Sequence, residues 1–195
     1  MTKRRNYKGY KVPINYSVSR AILDILLDLG ESTTLFASPY QKMKRSFREI
    51  KGAPSPPKTW RYNRAIEYLK QREEIKLVEK NNKTFLKLTR KGKVRALMLR
   101  LYRDFAIQKE WDGRWRLILW DIPESSAEQR NNVRNLVKGL GFYQLQKSAF
   151  ITPYPLPVSA VEYLKDSKLL RYIRFLRVDK LENDQVLKKH FQLHG

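Results

Sequence analysis

The hydrophobic pattern of this chain changes its period twice, and this change constrains the fold more than any other feature. Up to about residue 73, apolar residues recur at helical spacing, whereas between 75 and 88 they alternate as in β-strands. Helical spacing returns over 91–107, and a second mixed series begins at residue 114. The pattern predicts an α+β chain built in two parts.

Three helices are predicted before the alternating region. The first has Ser19 as its N-cap and ends before Gly30, and the second covers 39–50. The third runs from a cap at Ser55 through a Pro-Pro pair to about residue 73. Its candidate core residues are Trp60, Ile66 and Leu69.

The alternating region predicts a β-hairpin with strands over 75–79 and 84–88. A basic turn over 80–83 joins them, and a long helix over 91–107 follows. Three helices, a hairpin and a further helix are the order of a winged helix-turn-helix, with the third helix as recognition helix and the hairpin as wing.

The charge balance predicts a polyanionic partner. The chain has 41 Lys and Arg against 19 Asp and Glu, which gives a formal net charge of +22. Residues 1–109 carry +18 of this charge, and 110–195 carry only +4. Double-stranded DNA is the partner that we expect first, and an acidic membrane second.

Basic, hydroxyl and aromatic side chains on the second helix, the third helix and the hairpin are the candidate DNA contacts. They are Lys42, Lys44, Arg45, Lys58, Thr59, Arg61, Tyr62, Arg64, Lys80 and Lys83. Arginine can bind guanine through two hydrogen bonds, and Thr and Tyr can reach bases or phosphates. The same residues could instead form a solvated basic face, and a helix-turn-helix can also dock proteins. Residues 1–16 are either a flexible basic arm that follows phosphates or a solvated tail.

The second part of the chain predicts a β-α-β-(β)-α-β order, which is that of a ferredoxin-like domain. Its predicted elements are a strand over 114–121, a helix opened by the capping box Ser125–Glu128 and ending at Gly141, a strand over 142–152, a short strand near the prolines of 153–157, a helix over 158–166, a strand over 170–178 and a tail helix over 184–193. The predicted domains are therefore 1–16, 17–108 and 109–195, and we expect the last to form a homodimer.

Five short motifs of the second part resemble the central domain of PaaX-type transcriptional repressors. They are WDGRWRLI (111–118), DIPE (121–124), LGF (140–142), LQKS (145–148) and PYP (153–155). That domain is itself similar to the small CRISPR-associated endonuclease of the Cas-two type. In PaaX relatives a winged helix precedes it, as predicted here. The resemblance implies a short form without the family's usual extra C-terminal domain, and a small-molecule effector is not indicated.

The resemblance also raises the question of catalysis. In the CRISPR endonuclease family an Asp at the end of the first strand is proposed to bind a divalent metal, and Asp121 matches that position. Two copies across a dimer could share one Mg²⁺, or Asp121 could simply brace the following turn. His190 and His194 have a zinc-compatible spacing but lie in the last six residues, where we expect a frayed tail.

These observations lead to three hypotheses. The first is a homodimeric, sequence-specific DNA-binding transcriptional regulator, a repressor by resemblance, that binds a palindromic operator without a cofactor. The second is a magnesium-dependent nuclease or CRISPR adaptation subunit with a fused winged helix. The third is a non-specific architectural or RNA-binding protein. The chain has no cysteine and no apolar run that could span a membrane, and we expect a cytoplasmic location.

Overall fold

The computed structural model describes residues 17–29, 44, 47–48, 55–80, 83–107 and 110–193. The arm predicted at 1–16 and most of the second predicted helix lie outside the described residues. The chain divides into two compact units, with the boundary between Leu101 and Tyr102. The mixture of helix and sheet confirms the predicted α+β class. No described helix is both long and apolar enough to cross a membrane.

The first unit consists of helices and one hairpin. Its elements are α1 (Val18–Asp28), α2 (Thr59–Gln71), β1 (Ile75–Lys80), β2 (Lys83–Leu88) and most of α3 (Arg90–Ile107), which continues across the boundary. Lys44, Phe47 and Arg48 are helical, and Phe47 is buried. The apolar stripe of α1 packs against Ala65 and Leu69 of α2 and against the hairpin.

Both predicted N-caps of this unit are wrong. Ser17, and not Ser19, precedes α1, and its Oγ accepts a hydrogen bond from the backbone N–H of Arg20 at 3.3 Å. Helix α2 begins at Thr59, four residues after Ser55. A residue before proline disfavours helical backbone, so the two consecutive prolines keep this segment extended and delay the helix.

The hairpin is longer than predicted by one residue on each strand. Its antiparallel register runs from Ile75 opposite Leu88 to Lys80 opposite Lys83. Lys80 and Lys83 are therefore the last pair of the ladder and not part of the turn.

Glu74 lies where α2 ends and β1 begins, and it is only 1% exposed. Its carboxylate accepts a hydrogen bond from Arg72 Nε at 2.7 Å and lies 3.2 Å from Arg95 Nη1. Its carbonyl oxygen accepts a hydrogen bond from the backbone N–H of Thr89 at 3.1 Å, and the Thr89 hydroxyl donates to the neighbouring Glu73 carbonyl at 2.6 Å. The Thr89 hydroxyl accepts in turn from the N–H of Gly92 at 3.1 Å, so Thr89 joins this junction to the first turn of α3.

The second unit has a four-stranded antiparallel sheet with helices between its strands. Its elements are β3 (Trp115–Trp120), α4 (Ala127–Gly139), β4 (Tyr143–Gln146), β5 (Ala149–Thr152), α5 (Val158–Asp166), β6 (Ile173–Val178) and α6 (Gln185–Phe191). The strand order across the sheet is β4-β5-β3-β6, which leaves β4 and β6 as edges. Four aromatic residues that the alternation assigned to the core or an interface are buried: Trp115, Trp120, Phe142 and Phe150.

Three boundaries in this unit differ from the prediction. The strand expected over 142–152 is two strands joined at Lys147 and Ser148, and no strand follows among the prolines. This turn contains Ser148 but neither Gly, Asn nor Pro, so the sequence marks it only weakly. The capping box at Ser125 is absent, because Glu124–Ser126 forms a short 3-10 turn and α4 begins after Ser126 without a side-chain cap. A second 3-10 turn precedes β6.

The predicted tail helix over 184–193 is present as α6, and it packs against the sheet up to Phe191, where a frayed tail was expected. Leu187 and Phe191 are buried in one cluster with Trp115 and Ile151. The Trp115 indole donates to Asp184 Oδ2 at 3.2 Å, at the start of this helix. Of the two histidines with zinc-compatible spacing, the His190 ring packs edge-on against Tyr143 and Phe191. His194 lies outside the described residues.

An ion pair holds the turn that leads into β3. Arg116 donates from both terminal nitrogens to the two Asp112 carboxylate oxygens, with Nη2 to Oδ2 at 2.6 Å. The hydrogen bond from Arg116 lowers the pKa of Asp112 from 3.8 to about 2. Gly113 turns the chain at a φ of +80°, and the Trp111 indole donates to the Arg114 carbonyl at 3.1 Å.

The close contact of α3 with Glu74 leads to a first prediction. A Cβ on residue 92 would lie 1.8 Å from the Glu74 carbonyl oxygen, so Gly92→Ala must push the helix away from the hairpin. We expect the free energy of unfolding to fall by about 3 kcal/mol. Denaturant unfolding would measure this fall, with Lys91→Ala on the exposed side as control. Equal stabilities of Gly92→Ala and wild type would contradict the contact.

The Asp112–Arg116 pair gives a second prediction, on acid stability. Because the folded pKa lies below the unfolded value, the pair stabilises the fold above pH 3.8 and its contribution is lost as pH falls through about 2. Asp112 is 40% exposed, and solvent screening reduces the contribution to about 1 kcal/mol. We expect Asp112→Asn to be less stable than wild type at pH 6 and to approach it at pH 2, as measured by urea unfolding. A gap of constant size at all pH values would disprove the role of this charge.

Candidate nucleic-acid interface

Helix α2 presents most of the predicted recognition residues to solvent. Thr59, Arg61 and Arg64 are exposed along it, and Lys58 precedes its first turn. Its opposite side carries Ala65 and Leu69 into the core. The helix therefore has one basic face and one packed face, as a recognition helix requires.

Tyr62 is the exception among the predicted contacts on this helix. It is only 4% exposed and lies in the core between α1 and the hairpin, so it is not available to DNA. Burial raises the pKa of its phenol to about 12. Successive residues of a helix point in directions about 100° apart, so Tyr62 faces the core although its neighbour Arg61 faces solvent. The residue type alone does not reveal this.

Trp60 shows the reverse error, because the sequence assigned it to the core. The indole is 56% exposed, and the Arg61 guanidinium carbon lies 5.2 Å from its ring centroid. A guanidinium beside an indole face makes a cation–π contact that limits the rotamers of both side chains. The exposed ring adds a flat apolar surface to the basic face.

Arginines from three helices converge on one open cavity of about 530 Å³ beside this face. Arg20 comes from α1, Arg61 and Arg64 come from α2, and Arg95 comes from α3. None of the described residues that line the cavity is acidic. Arginine carries a permanent positive charge and binds phosphate groups well, so a lining with four arginines favours a phosphate-bearing ligand.

The orientation of Arg95 is fixed from behind by the buried carboxylate of Glu74, which lies 3.2 Å from its Nη1. The N-terminus of α1, capped by Ser17, borders the same cavity, and the partial positive charge of a helix N-terminus adds to the potential. Sequence reasoning missed both residues because Arg20 lies on the first helix and Arg95 on the helix after the hairpin, and neither element was expected to contact DNA.

The remaining predicted contacts are described only in part. Lys44 is helical and half-buried, whereas Lys42 and Arg45 lie outside the described residues. The backbones of Lys80 and Lys83 close the hairpin, and their side chains lie outside the described residues. A second basic pair was missed: the exposed residues Lys76 and Lys87 are partners across the hairpin, and strand alternation could have revealed them.

Asp121, the candidate metal ligand, is exposed directly after β3, and its backbone N–H donates to the Tyr172 carbonyl at 3.0 Å. Among the residues that the structure describes, no three His, Asp or Glu side chains lie together as metal ligands would. A single exposed carboxylate does not fit a magnesium site within one chain, since Mg²⁺ needs several oxygen ligands in octahedral geometry.

Comparison with known families concerns the second unit. Residues 108–189 match the family model described as the PaaX protein central Cas2-like domain. This part of the chain is similar to the central domain of PaaX-type proteins. The predicted resemblance is thereby confirmed, and PaaX proteins are in general transcriptional regulators. No curated protein matches the chain.

The PaaX-type motifs occupy distinct positions in the second unit. The first motif forms the Asp112–Arg116 turn and most of β3, and DIPE precedes α4. The second Gly of the set, Gly141, reverses the chain after α4 at a φ of +84°. The motifs are therefore those that shape the sheet and its first helix, and they lie outside the basic face of α2.

The exposure difference along α2 leads to a third prediction. Removal of the guanidinium in Arg64→Ala should weaken DNA binding by about 1–3 kcal/mol, since one well-placed arginine contact contributes that much. Tyr62→Phe should leave DNA binding unchanged, because the Tyr62 side chain is buried. Anisotropy titration of a labelled duplex would measure both.

Arg171→Ala provides the control for net charge, because it removes an exposed arginine of the second unit. Equal losses of affinity in Arg64→Ala and Arg171→Ala would show that only total charge matters and would contradict a specific role for the α2 face.

Proposed function

We propose that the protein is a DNA-binding transcriptional regulator that acts as a repressor. The observation that carries the proposal is the convergence of Arg20, Arg61, Arg64 and Arg95 around one cavity beside the exposed face of α2. The PaaX-type domain that follows supports the regulatory role, and repression rests on the family resemblance.

In this proposal the first unit is a winged helix-turn-helix. Helix α2 would be the recognition helix and β1–β2 the wing, and the order of the elements and the charge of +18 over residues 1–109 support this assignment. Arg61 and Arg64 would reach base edges, and Arg20, Arg95 and the wing lysines would hold phosphates. Because phosphate contacts release counterions, affinity should fall steeply with salt.

The second unit would be a ferredoxin-like dimerisation domain. The sheet face that carries Trp115 also carries Leu117 and its cross-strand partner Leu176. Leu176 is 41% exposed and is not part of the cluster that α6 covers. A second copy could cover this face and the edge strand β6. Two-fold symmetry would then require a palindromic operator, with half-sites about 34 Å apart or a multiple of it.

A second candidate function is favoured by the match to a Cas2-like domain. It is a magnesium-dependent nuclease or CRISPR adaptation subunit, in which the Asp121 residues of two copies would meet across a dimer. Non-specific binding to DNA or RNA is the third candidate and requires only the basic surface.

One experiment separates the three candidates, and it is the fourth prediction. The chain is used to select from a random duplex library at physiological salt, with EDTA in one arm and magnesium in the other. We expect an enriched palindrome in both arms, with Arg61→Ala losing selectivity at particular base positions.

The other outcomes identify the alternatives. Shortened DNA in the magnesium arm alone, abolished by Asp121→Ala, would replace the regulator with the nuclease. Binding without an enriched sequence would support the non-specific protein. Sedimentation of the free chain would test the homodimer independently of DNA.

A further inference from the structure

The outer face of α4, in the PaaX-type unit, has a composition that its packing does not explain. The helix buries Val133, Leu136 and Val137. Most of its outer surface is formed by amide and basic side chains, which we call the α4 face: Arg130, Asn131, Asn132, Arg134, Asn135 and Lys138. The one acidic residue of the helix is Glu128 in its first turn.

Three asparagines are an unfavourable choice for a solvated helix. Asn is among the weaker helix formers, and Glu, Lys, Gln or Ala would serve solubility better. Asn132 and Asn135 are exposed, so core packing does not require them. An amide can donate and accept hydrogen bonds, as contacts to phosphates and base edges demand. The composition of the α4 face therefore favours a nucleic-acid partner over solvent.

The basic residues of the α4 face form a row. Arg130, Arg134 and Lys138 are spaced by four residues, so the row is about 12 Å long at 1.5 Å per residue. A DNA duplex presents one phosphate charge per about 1.7 Å of its axis, hence about seven over that length. Within the described part of the chain, neither Arg134 nor Lys138 forms an ion pair with a carboxylate.

Two of these side chains are already held in place. Arg130 Nη2 donates to the Glu124 carbonyl at 3.1 Å, and Arg134 Nη1 donates to Asn131 Oδ1 at 3.2 Å. Partial ordering before binding reduces the conformational entropy lost on contact. Asn131 thus positions Arg134, and Asn132 and Asn135 are left to contact a partner.

The other helix of this unit provides an internal comparison. Helix α5 exposes Val158, Val161, Glu162 and Lys165, a mixed and partly apolar surface. The enrichment in Arg, Lys and Asn is therefore a property of the α4 face and not of the helices of this unit in general.

We propose that the α4 face is a second DNA-contact surface, which binds the phosphate backbone through Arg134 and Lys138 and is supported by the amides of Asn132 and Asn135. The inference rests on the proposed DNA-binding function. It assigns to the PaaX-type unit a direct role in DNA affinity, in addition to its proposed role in dimerisation.

The first test removes charge. The double variant Arg134→Gln, Lys138→Gln should weaken binding to a labelled duplex by about tenfold at low salt. It should also reduce the slope of log Kd against log salt by about 1.8, at 0.9 per lost phosphate contact. The control double variant Lys165→Gln, Lys180→Gln removes the same charge from exposed positions elsewhere and should leave the slope unchanged. Equal effects in the two double variants would overturn the proposal.

The second test uses a substitution that should raise the stability of the fold and lower the affinity for DNA. Asn135→Ala replaces a weak helix former with the best one, so the Tm should rise while DNA affinity falls. A merely solvated α4 face predicts a higher Tm with unchanged affinity, and that result would overturn the proposal. Because folding improves, a loss of binding cannot come from unfolding.

Arg64→Ala, measured in the same assay, separates this inference from the proposed function. Loss of affinity in Arg64→Ala with wild-type affinity in both α4 variants would refute the α4 face alone. A wild-type chain that binds no duplex would refute the DNA-binding function and the α4 face together.

Discussion

The buried carboxylate of Glu74 is the interaction on which the first unit depends. A charge at 1% exposure is tolerable only when paired, and Arg72 and Arg95 pair it here. The Glu74 carbonyl oxygen accepts a hydrogen bond from the backbone N–H of Thr89 and lies close to Gly92. The end of α2, the hairpin and the start of α3 therefore all contact this one residue. The junction fixes the direction in which α2 presents its basic face, and Arg95 joins it directly to the cavity.

The second unit is organised around a different constraint, the cover of its sheet. Trp115 is 1% exposed because α6 closes over it, with Asp184 accepting the indole proton and Phe191 packing 6.1 Å from the ring. That cover reaches only one end of the sheet face. The sheet therefore remains accessible near Leu176. On the helices, α4 exposes basic and amide side chains, whereas α5 exposes a mixed and partly apolar surface. The proposed dimer contact and the proposed DNA contact thus lie on different elements of one small domain.

Charge is distributed to match this division. Most of the excess positive charge lies before residue 110, where four arginines line one cavity. The second unit has a nearly ordinary balance, but its helix α4 carries three basic residues and one acid. The net charge of a unit is thus a poor guide to local contacts, because the field near a surface depends on where the charges face.

The sequence by itself determined the elements and their order, because hydrophobic period is a local property of the chain. The α+β class, the PaaX-type resemblance and the positions of α1, α3 and the hairpin follow from spacing and motifs alone. Only the tertiary structure decided which residues of α2 face solvent. Tyr62 and Trp60 exchanged their expected places because burial depends on where α1 and the hairpin pack. It also brought Arg20 and Arg95 beside Arg61, residues up to 75 positions apart in the chain, and closed α6 over Trp115. Such contacts depend on how the helices and strands pack against one another, and local sequence patterns do not determine that packing.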